Sequence, residues 1–311
     1  MTTPFAPRLV AACIATLCAG AGFSAHAETG KLLLTGGVSS IDGAAGGGLT
    51  PWAVIGSNAT EGETGGTAFV TTARTKDYGL NIVGASVGIN DRYELSIAQQ
   101  DLKTGVTGTG LGLPGLHLKQ TILGAKIRVA GDAVLDADTL MPQVAVGVEY
   151  KTLGSTGLDG TLRALGAKRE GVDVYVSATK LFLGQSLLVN GTLRATKANQ
   201  NGLLGYGATL GGGSNNSYSL QPEFSVAYLI SKNVAVGAEY RFMRNKLETA
   251  GRAAGLGNGL RSEDWKDVFI AWAPNKNVSV TLAYVDLGVI VPATTASRKQ
   301  TGYCLSAQVA F

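Results

Sequence analysis

The last nine residues of the chain, residues 303–311, alternate between two kinds of side chain and end on an aromatic residue. Side chains in a β-strand point to opposite faces with a period of two. One face therefore carries Tyr303, Leu305, Ala307, Val309 and Phe311, and the other carries Cys304, Ser306, Gln308 and Ala310. A chain that stops on an aromatic residue after such a strand is typical of bacterial outer-membrane β-barrels, so this stretch predicts a fold and a compartment.

The amino-terminus predicts the same compartment. Arg8 supplies a positive charge, residues 9–22 form a short apolar run, and Ala25-His26-Ala27 is a small-x-small cleavage pattern. These are the three parts of a Sec-type signal peptide, so we expect cleavage near Ala27. The apolar run is too short to cross a bilayer as a helix. Residues 1–27 are therefore predicted to be removed, and residues 28–311 to form one outer-membrane barrel domain.

The composition argues against an ordinary soluble domain. Glycine accounts for 44 of 311 residues, and only 15% of residues are charged, whereas about 25% is usual. After residue 27 no apolar run approaches the roughly 20 residues of a transmembrane helix. The formal net charge of +4 is too mild to indicate a nucleic-acid partner. Cys304 is the only cysteine beyond the predicted leader, so an internal disulfide is excluded from the expected mature chain.

The rest of the chain is a series of hairpin patterns with period two. The clearest lie at 83–97, 224–242 and 268–284, and two weaker ones pair 122–130 with 143–151 and 172–182 with 186–196. Turn residues separate the alternating runs, as in β-hairpins. With an opening strand near 31–40 and the closing strand at 302–311, they predict an all-β, transmembrane, antiparallel up-and-down barrel of about 12 strands.

Six longer connections are expected at the outer end, at about 41–76, 103–117, 154–170, 199–216, 247–263 and 291–300. Segment 41–76 has alternatives. It is a long loop, or it folds into the lumen as a plug, or it adds strands near 49–55 and 68–73 to make about 14 strands. Trp52 lies within this segment and is either the anchor of a plug and gate or an ordinary interfacial tryptophan.

A soluble β-sandwich or lipocalin-like barrel would also alternate, with its apolar face inward. The leader, Phe311 and the polar opposite face favour the membrane barrel. Aromatic residues on the predicted outward face lie near strand ends, as interfacial girdles require: Tyr93, Tyr150, Phe182, Tyr228, Tyr240, Trp272, Tyr284 and Phe311.

Residues opposite the apolar face are predicted to line the lumen. The charged ones are Glu94, Lys126, Arg128, Glu149, Lys151, Asp173, Arg194, Glu223, Glu239, Arg241 and Asp267. They carry both signs, so strong selection of one ion sign is not indicated. Either they pair across strands, Arg128 with Glu149 and Glu223 with Arg241, and fill a narrow barrel, or they line a water-filled pore. Ile82, Leu188 and Phe269 at the same parity hint at an apolar part of the lumen.

An enzyme is not expected. His117 is the only histidine beyond the predicted leader, and its neighbours do not form a Ser-His pattern. One histidine and Cys304 also make a poor transition-metal site, so no metal or cofactor is predicted. Passage of a small molecule is the favoured function. A non-conducting structural or surface-interaction barrel is the main alternative, and an outer-membrane lipid-acting hydrolase is the third.

The segments KLLLTGGV at 31–38, GGGLTPWAVIG at 46–56 and YGLNIVGASVGINDRYELSIAQQDL at 78–102 resemble a proteobacterial family of predicted outer-membrane proteins of unknown function. The resemblance implies a barrel and supplies no site residues. In size and layout the chain is also similar to predicted outer-membrane transporters of hydrophobic compounds found beside aromatic-degradation pathways. The partners expected are outer-membrane lipid, the barrel-assembly machinery through the carboxy-terminal strand and an unidentified small solute.

Overall fold

A computed structural model describes residue 31 and residues 34–131, 140–154 and 157–311. Two short strands, β1 (Val38–Ser39) and β2 (Ala45–Gly46), pair with each other outside the main sheet. The main sheet is a closed barrel of twelve strands. These are β3 (Thr64–Thr75), β4 (Gly79–Ile89), β5 (Tyr93–Lys103), β6 (His117–Ala130), β7 (Gln143–Leu153), β8 (Glu170–Phe182), β9 (Leu187–Thr196), β10 (Ser219–Ser231), β11 (Val234–Arg241), β12 (Trp265–Asn275), β13 (Val278–Asp286) and β14 (Thr301–Ala310).

Each barrel strand pairs antiparallel with its neighbours in the chain, and β14 closes the barrel on β3. Closure satisfies the backbone groups of both edge strands, which hydrocarbon requires. The predicted transmembrane up-and-down barrel is therefore confirmed. The signal peptide predicted at residues 1–27 lies outside the described residues.

The first barrel strand is not where the sequence predicted it. Residues near 31–40 were expected to open the barrel, but β3 does so, and residues 68–73 lie inside β3. Residues 49–55 form no barrel strand, so the barrel has twelve strands and not fourteen. The alternation in β3 is weak because its largest apolar side chain, Phe69, faces inward and is buried.

The outer face carries the apolar residues of the alternating pattern. Large exposed side chains include Leu95, Ile97, Val226, Val268 and Leu282. Seven of the eight predicted girdle aromatics are exposed, and Tyr240 is half-buried. A closed barrel that presents this surface is built to face lipid. Among the described residues, no α-helix combines the length and hydrophobicity needed for a membrane crossing.

The long connections at the outer end contain short helices: α1 (Gly105–Gly110), α2 (Asp159–Ala164), α3 (Lys246–Ala253) and α4 (Pro292–Thr295), with 3₁₀ turns at Gln200–Gly202 and Gly213–Asn216. A further 3₁₀ turn, Leu183–Gln185, joins β8 to β9 at the other end. Leucines of several outer connections pack on one another, including Leu113, Leu158, Leu162, Leu204 and Leu260. This leucine cluster covers part of the outer mouth of the barrel.

Candidate functional site

The eleven charged residues predicted for the lumen all lie on the inner face of the barrel wall. Nine are buried, and Arg128 and Asp267 are half-buried. They are buried because the lumen is occupied by residues 34–59, which we call the inner segment. Wall side chains from distant strands form hydrogen bonds with it: Gln100 of β5, Thr179 of β8, Glu239 of β11 and Gln308 of β14.

Six charged residues form a ladder across five consecutive strands, which we call the wall ladder: Glu149 and Lys151 of β7, Asp173 of β8, Arg194 of β9, Glu223 of β10 and Arg241 of β11. Lys151 Nζ lies 3.1 Å from carboxylate oxygens of both Glu149 and Asp173. Arg194 contacts Glu149 at 2.5 Å and Glu223 at 2.6 Å. Arg241 Nε lies 3.2 Å from Glu223. Every cation of the ladder therefore has a carboxylate partner in the wall itself.

One of the two predicted cross-strand pairs exists. Glu223 and Arg241 lie opposite each other in the β10–β11 register and contact each other. The predicted pairing of Arg128 with Glu149 is wrong, because the register places Arg128 opposite Ala145. Arg128 instead contacts Asp91, at 3.1 Å, in the turn before β5.

Asp42 of the inner segment inserts its carboxylate into the wall ladder. Its oxygens lie 3.2 Å from Lys151 Nζ and 3.2 Å from Arg241 Nη1, and the Asn201 amide donates to it at 2.6 Å. Burial by itself would raise the pKa of Asp42, but the positive charges of Lys151, Arg241 and Arg194 outweigh it and hold the pKa well below its ordinary value. These positive charges favour the ionised form of Asp42 inside the barrel.

Sequence reasoning missed both Asp42 and Asn201. Asp42 lies in an irregular segment with no period to reveal its direction. Asn201 lies in the 3₁₀ turn of the β9–β10 connection and has a φ of 59°, a left-handed conformation that asparagine adopts more readily than most residues. Its Oδ1 accepts from Lys151 at 2.8 Å and from Arg241 at 2.9 Å. An outer connection thus reaches the same charged cluster as the inner segment.

A second ion pair binds the backbone of the inner segment. Glu94 of β5 and Lys126 of β6 lie 3.1 Å apart. Glu94 accepts from the N–H groups of Ala45 at 3.0 Å and Gly56 at 2.6 Å. Lys126 donates to the carbonyl oxygens of Ala45 at 3.1 Å and Trp52 at 3.3 Å. Charged side chains that bind backbone groups can stay buried because every charge has partners.

A third contact is centred on Glu239 of β11. Its carboxylate accepts from the N–H groups of Leu49 at 2.7 Å and Thr50 at 3.1 Å, and from the Thr50 hydroxyl at 2.7 Å. A Cβ atom at Gly47 would collide with this carboxylate, so the glycine at this position lets the backbone approach the wall. The Thr50 hydroxyl also contacts that of Ser225 on β10.

Trp52 is buried in this region, with 3% of its surface exposed. Its indole N–H donates to Ser225 at 3.0 Å, and its ring belongs to an apolar cluster with Leu188 and Phe269 of the wall. Trp52 therefore holds the inner segment to the wall through a polar and an apolar contact. The predicted inward direction of Leu188 and Phe269 is correct, and Ile82 is buried in another cluster of the inner face.

In the described part of the chain, three other predicted residues take no part in the hydrogen bonds and ion pairs given above, although Cys304 packs against the apolar cluster of Trp52. Asp267 has a buried Oδ1 without a hydrogen-bond partner in the described part of the chain. Cys304 is a half-buried free thiol. His117 begins β6, and its Nδ1 lies 2.6 Å from Asp101 in an exposed pair. Among the described residues no hydrogen bond joins His117 to a serine, so no Ser-His pair forms there.

Solved structures with similar folds are outer-membrane barrels. The KdgM porin in complex with disordered oligogalacturonate aligns at 10% identity and a TM-score of 0.48, over 79% of this chain and 99% of that one. An outer membrane channel from Pseudomonas putida F1 aligns at 13% identity and 0.47, over 81% and 96%. Outer membrane phospholipase A from Escherichia coli aligns at 10% and 0.41, over 78% and 92%.

At these identities and TM-scores, nothing about the function of the three proteins can be transferred to this chain. None of the curated proteins compared with the chain matches it. A family model does match, over residues 35–308, which is most of the sequence and covers the inner segment from its second residue, eleven barrel strands in full and β14 up to residue 308. The chain belongs to the family described as protein of unknown function DUF3034.

Proposed function

We propose that this protein is an outer-membrane channel for a small solute, closed in the present state, with the inner segment as its gate. The observation that supports a closed state is the filled lumen. Two cavities between the inner segment and the wall have volumes of about 40 and 20 Å³, enough for about one to three waters each. A solute can pass only if the inner segment moves.

The nature of the contacts supports a gate over a permanent core. Ion pairs and hydrogen bonds hold much of the inner segment, and water can replace such partners. A single intramolecular hydrogen bond contributes only about 0.5–1.5 kcal/mol net for this reason. The wall ladder also keeps its internal pairs without Asp42. Withdrawal of the inner segment therefore leaves a wall whose cations remain paired.

A disulfide that locks the inner segment to the wall tests the proposal. The Thr50 and Ser225 hydroxyls are in contact, so the double variant Thr50→Cys/Ser225→Cys places two sulfur atoms where they can bond. The background carries Cys304→Ser to remove the free thiol. In planar bilayers we expect discrete openings from the reduced protein and at least a tenfold loss of open probability after oxidation, reversed by dithiothreitol.

The matched control places the disulfide within the wall. Thr71 of β3 and Ser306 of β14 are register partners whose hydroxyls lie 2.8 Å apart, and in the described part of the chain neither hydroxyl forms a hydrogen bond with the inner segment. The pair Thr71→Cys/Ser306→Cys should oxidise without changing the open probability. Equal loss in both variants, or unchanged openings with a fully formed Thr50→Cys/Ser225→Cys disulfide, would refute the inner segment as the gate.

The filled lumen also favours a second function, a non-conducting structural barrel. The leucine cluster of the outer connections is a further packed layer at the outer end of the barrel. A folded, reduced protein that never opens would support this alternative. A lipid-acting hydrolase has less support, because in the described part of the chain the exposed pair of His117 and Asp101 has no hydrogen bond to the serine that nucleophilic catalysis of this kind needs.

A further inference from the structure

Four nitrogen groups converge on the Asp42 carboxylate from separate parts of the barrel, two through hydrogen bonds and two through ion-pair contacts. They are Lys151 Nζ at 3.2 Å, Arg241 Nη1 at 3.2 Å, Arg194 Nη2 at 3.6 Å and Asn201 Nδ2 at 2.6 Å. Three of the four residues project from wall strands β7, β9 and β11, and Asn201 comes from the β9–β10 connection. We call these four groups the carboxylate seat. Asp42 occupies it, and 1% of Asp42 is exposed.

Most of these donors depend on Asp42 alone. In the described part of the chain, Arg241 Nη1 and Asn201 Nδ2 donate only to Asp42. Arg194 Nη2 has no hydrogen-bond partner there and only the ion-pair contact with Asp42. Leaving a buried donor without an acceptor is costly, and more so for a charged one. If Asp42 withdraws, the seat therefore has to be refilled by an acceptor or by water.

The charge around the seat indicates which acceptor fits. The wall ladder contains three cations, Lys151, Arg194 and Arg241, and three carboxylates, so its formal charge without Asp42 is zero. Such a site gives little attraction to a multiply charged anion. It offers instead a converging set of donors that matches the two oxygens of one carboxylate, which together accept about four hydrogen bonds.

We propose that Asp42 is a tethered ligand in a carboxylate-binding site, and that a small monocarboxylate solute takes this site when the inner segment withdraws. The part of this inference that concerns transport rests on the proposed channel function. The binding site itself does not, because it consists of side chains that the closed barrel already brings together.

Chemical rescue tests the site without any conduction. The variant Asp42→Ala removes the tethered carboxylate and leaves space for acetate, while Glu94, Glu239 and Trp52 still hold the inner segment. Refolded protein in detergent micelles is heated in acetate or in acetamide, a neutral molecule of the same shape, at equal concentrations and constant chloride. Acetate should raise the unfolding midpoint of Asp42→Ala by several degrees over acetamide, and should leave the wild type unchanged.

The matched control is Ser39→Ala, which removes a part-buried contact of the inner segment, the 2.8 Å hydrogen bond to Gln308; neither residue forms a hydrogen bond or ion pair with a cation among the described residues. It should not distinguish acetate from acetamide. If Asp42→Ala does not fold in chloride buffer, the fraction that refolds in acetate against acetamide replaces the melting midpoint. Equal effects of the two molecules on Asp42→Ala, or the same acetate preference in Ser39→Ala, would overturn the carboxylate site.

The results separate this inference from the proposed channel. If acetate rescues Asp42→Ala but the protein never conducts in bilayers, the carboxylate-binding site is supported and the gate is refuted. If conduction responds to the disulfide lock but acetate does not rescue Asp42→Ala, the gate is supported and the carboxylate-binding site is refuted. If both hold, millimolar acetate should raise the open probability of the wild-type channel severalfold over acetamide, and the oxidised Thr50→Cys/Ser225→Cys protein should not respond.

Discussion

The two sides of the barrel wall differ in what they present to the lumen. Each of the eight strands from β5 to β12 carries at least one charged side chain on its inner face. The four adjoining strands β13, β14, β3 and β4 carry none. Their buried inner residues are uncharged, and the polar ones among them are small: Thr67, Thr71, Ser86, Ser279, Thr281 and Ser306. We call the two parts the charged wall and the uncharged wall.

The difference between the charged and the uncharged wall shows how the inner segment is held. Its ion pairs and its carboxylate-to-backbone hydrogen bonds are made with the charged wall, through Asp42, Glu94, Lys126 and Glu239. Its side-chain hydrogen bonds to the uncharged wall, from Ser39 to Gln308 and from Asn58 to the Ala310 carbonyl oxygen, join neutral groups. The roughly 40 Å³ cavity lies on the same side, lined by Ser279 and Gln308 among others. Electrostatics therefore anchors one side of the inner segment, and neutral contacts complete the other.

The largest effect should follow from breaking the charged wall. Arg194→Met removes the guanidinium that contacts Glu149 and Glu223 and leaves buried carboxylates with fewer cations. Loss of one partner from a buried ion pair typically costs about 3–5 kcal/mol. We expect a loss of that size in the free energy of unfolding, measured with urea in detergent micelles.

The comparison variant is Thr71→Val in the uncharged wall, which removes the hydroxyl contact with Ser306 while keeping the side-chain shape. A neutral hydrogen bond contributes about 1 kcal/mol, so the loss should be several times smaller than for Arg194→Met. Similar losses in the two variants would show that the division into charged and uncharged walls has no energetic meaning.

Trp52→Ala should lower the stability of the whole barrel less than Arg194→Met does. Its main effect should be on how tightly the inner segment docks against the wall. Truncating a buried tryptophan costs about 3–5 kcal/mol in a protein core, and here the cost acts on docking of the inner segment against Leu188 and Phe269. Cleavage of the inner segment by protease and channel open probability should both rise. Trp272→Ala on the lipid-facing surface should change neither, and the idea fails if it matches Trp52→Ala.

The sequence predicted the wall better than its contents, for a physical reason. A lipid-facing barrel must keep its outer side chains apolar, so the period of two reveals the strands and the inner parity of all eleven charged residues. The pattern is weak in β3, where Phe69 faces inward and small residues occupy both faces. The run at 31–38 is more apolar, and it was mistaken for the opening strand.

The contents of the lumen depend on contacts between residues far apart in the chain. Asp42 meets Arg241, and Trp52 meets Ser225, and no local period encodes such pairs. The sequence therefore left several possible structures open for segment 41–76 and could not predict which residues it contacts. Pairing followed the same rule: Glu223 and Arg241 lie close across a tight hairpin and were predicted, whereas the partner of Arg128 depended on the exact register and was not.

The smallest effect expected is the change in the free energy of unfolding with pH that comes from the titration of Asp42, because it should be absent across the neutral range. Its pKa in the folded protein is held well below the ordinary value by Lys151, Arg241 and Arg194, against the opposing effect of burial. A carboxyl with a depressed folded pKa contributes stability that is fully present above its unfolded pKa, about 3.9, and is lost as the pH falls through the folded pKa. The contribution should therefore be constant over the neutral range.

Comparing the wild type with Asp42→Asn isolates this contribution, because the other carboxylates titrate in both proteins. The difference in unfolding free energy should stay constant from about pH 8 to pH 5 and shrink below about pH 4. The difference between wild type and Ser39→Ala should stay flat throughout, since that contact joins two neutral groups. A difference for Asp42→Asn that already fades between pH 7 and pH 5 would mean that the three cations do not hold Asp42 ionised. The anchoring of the inner segment to the charged wall would then have to come from its backbone contacts with Glu94 and Glu239.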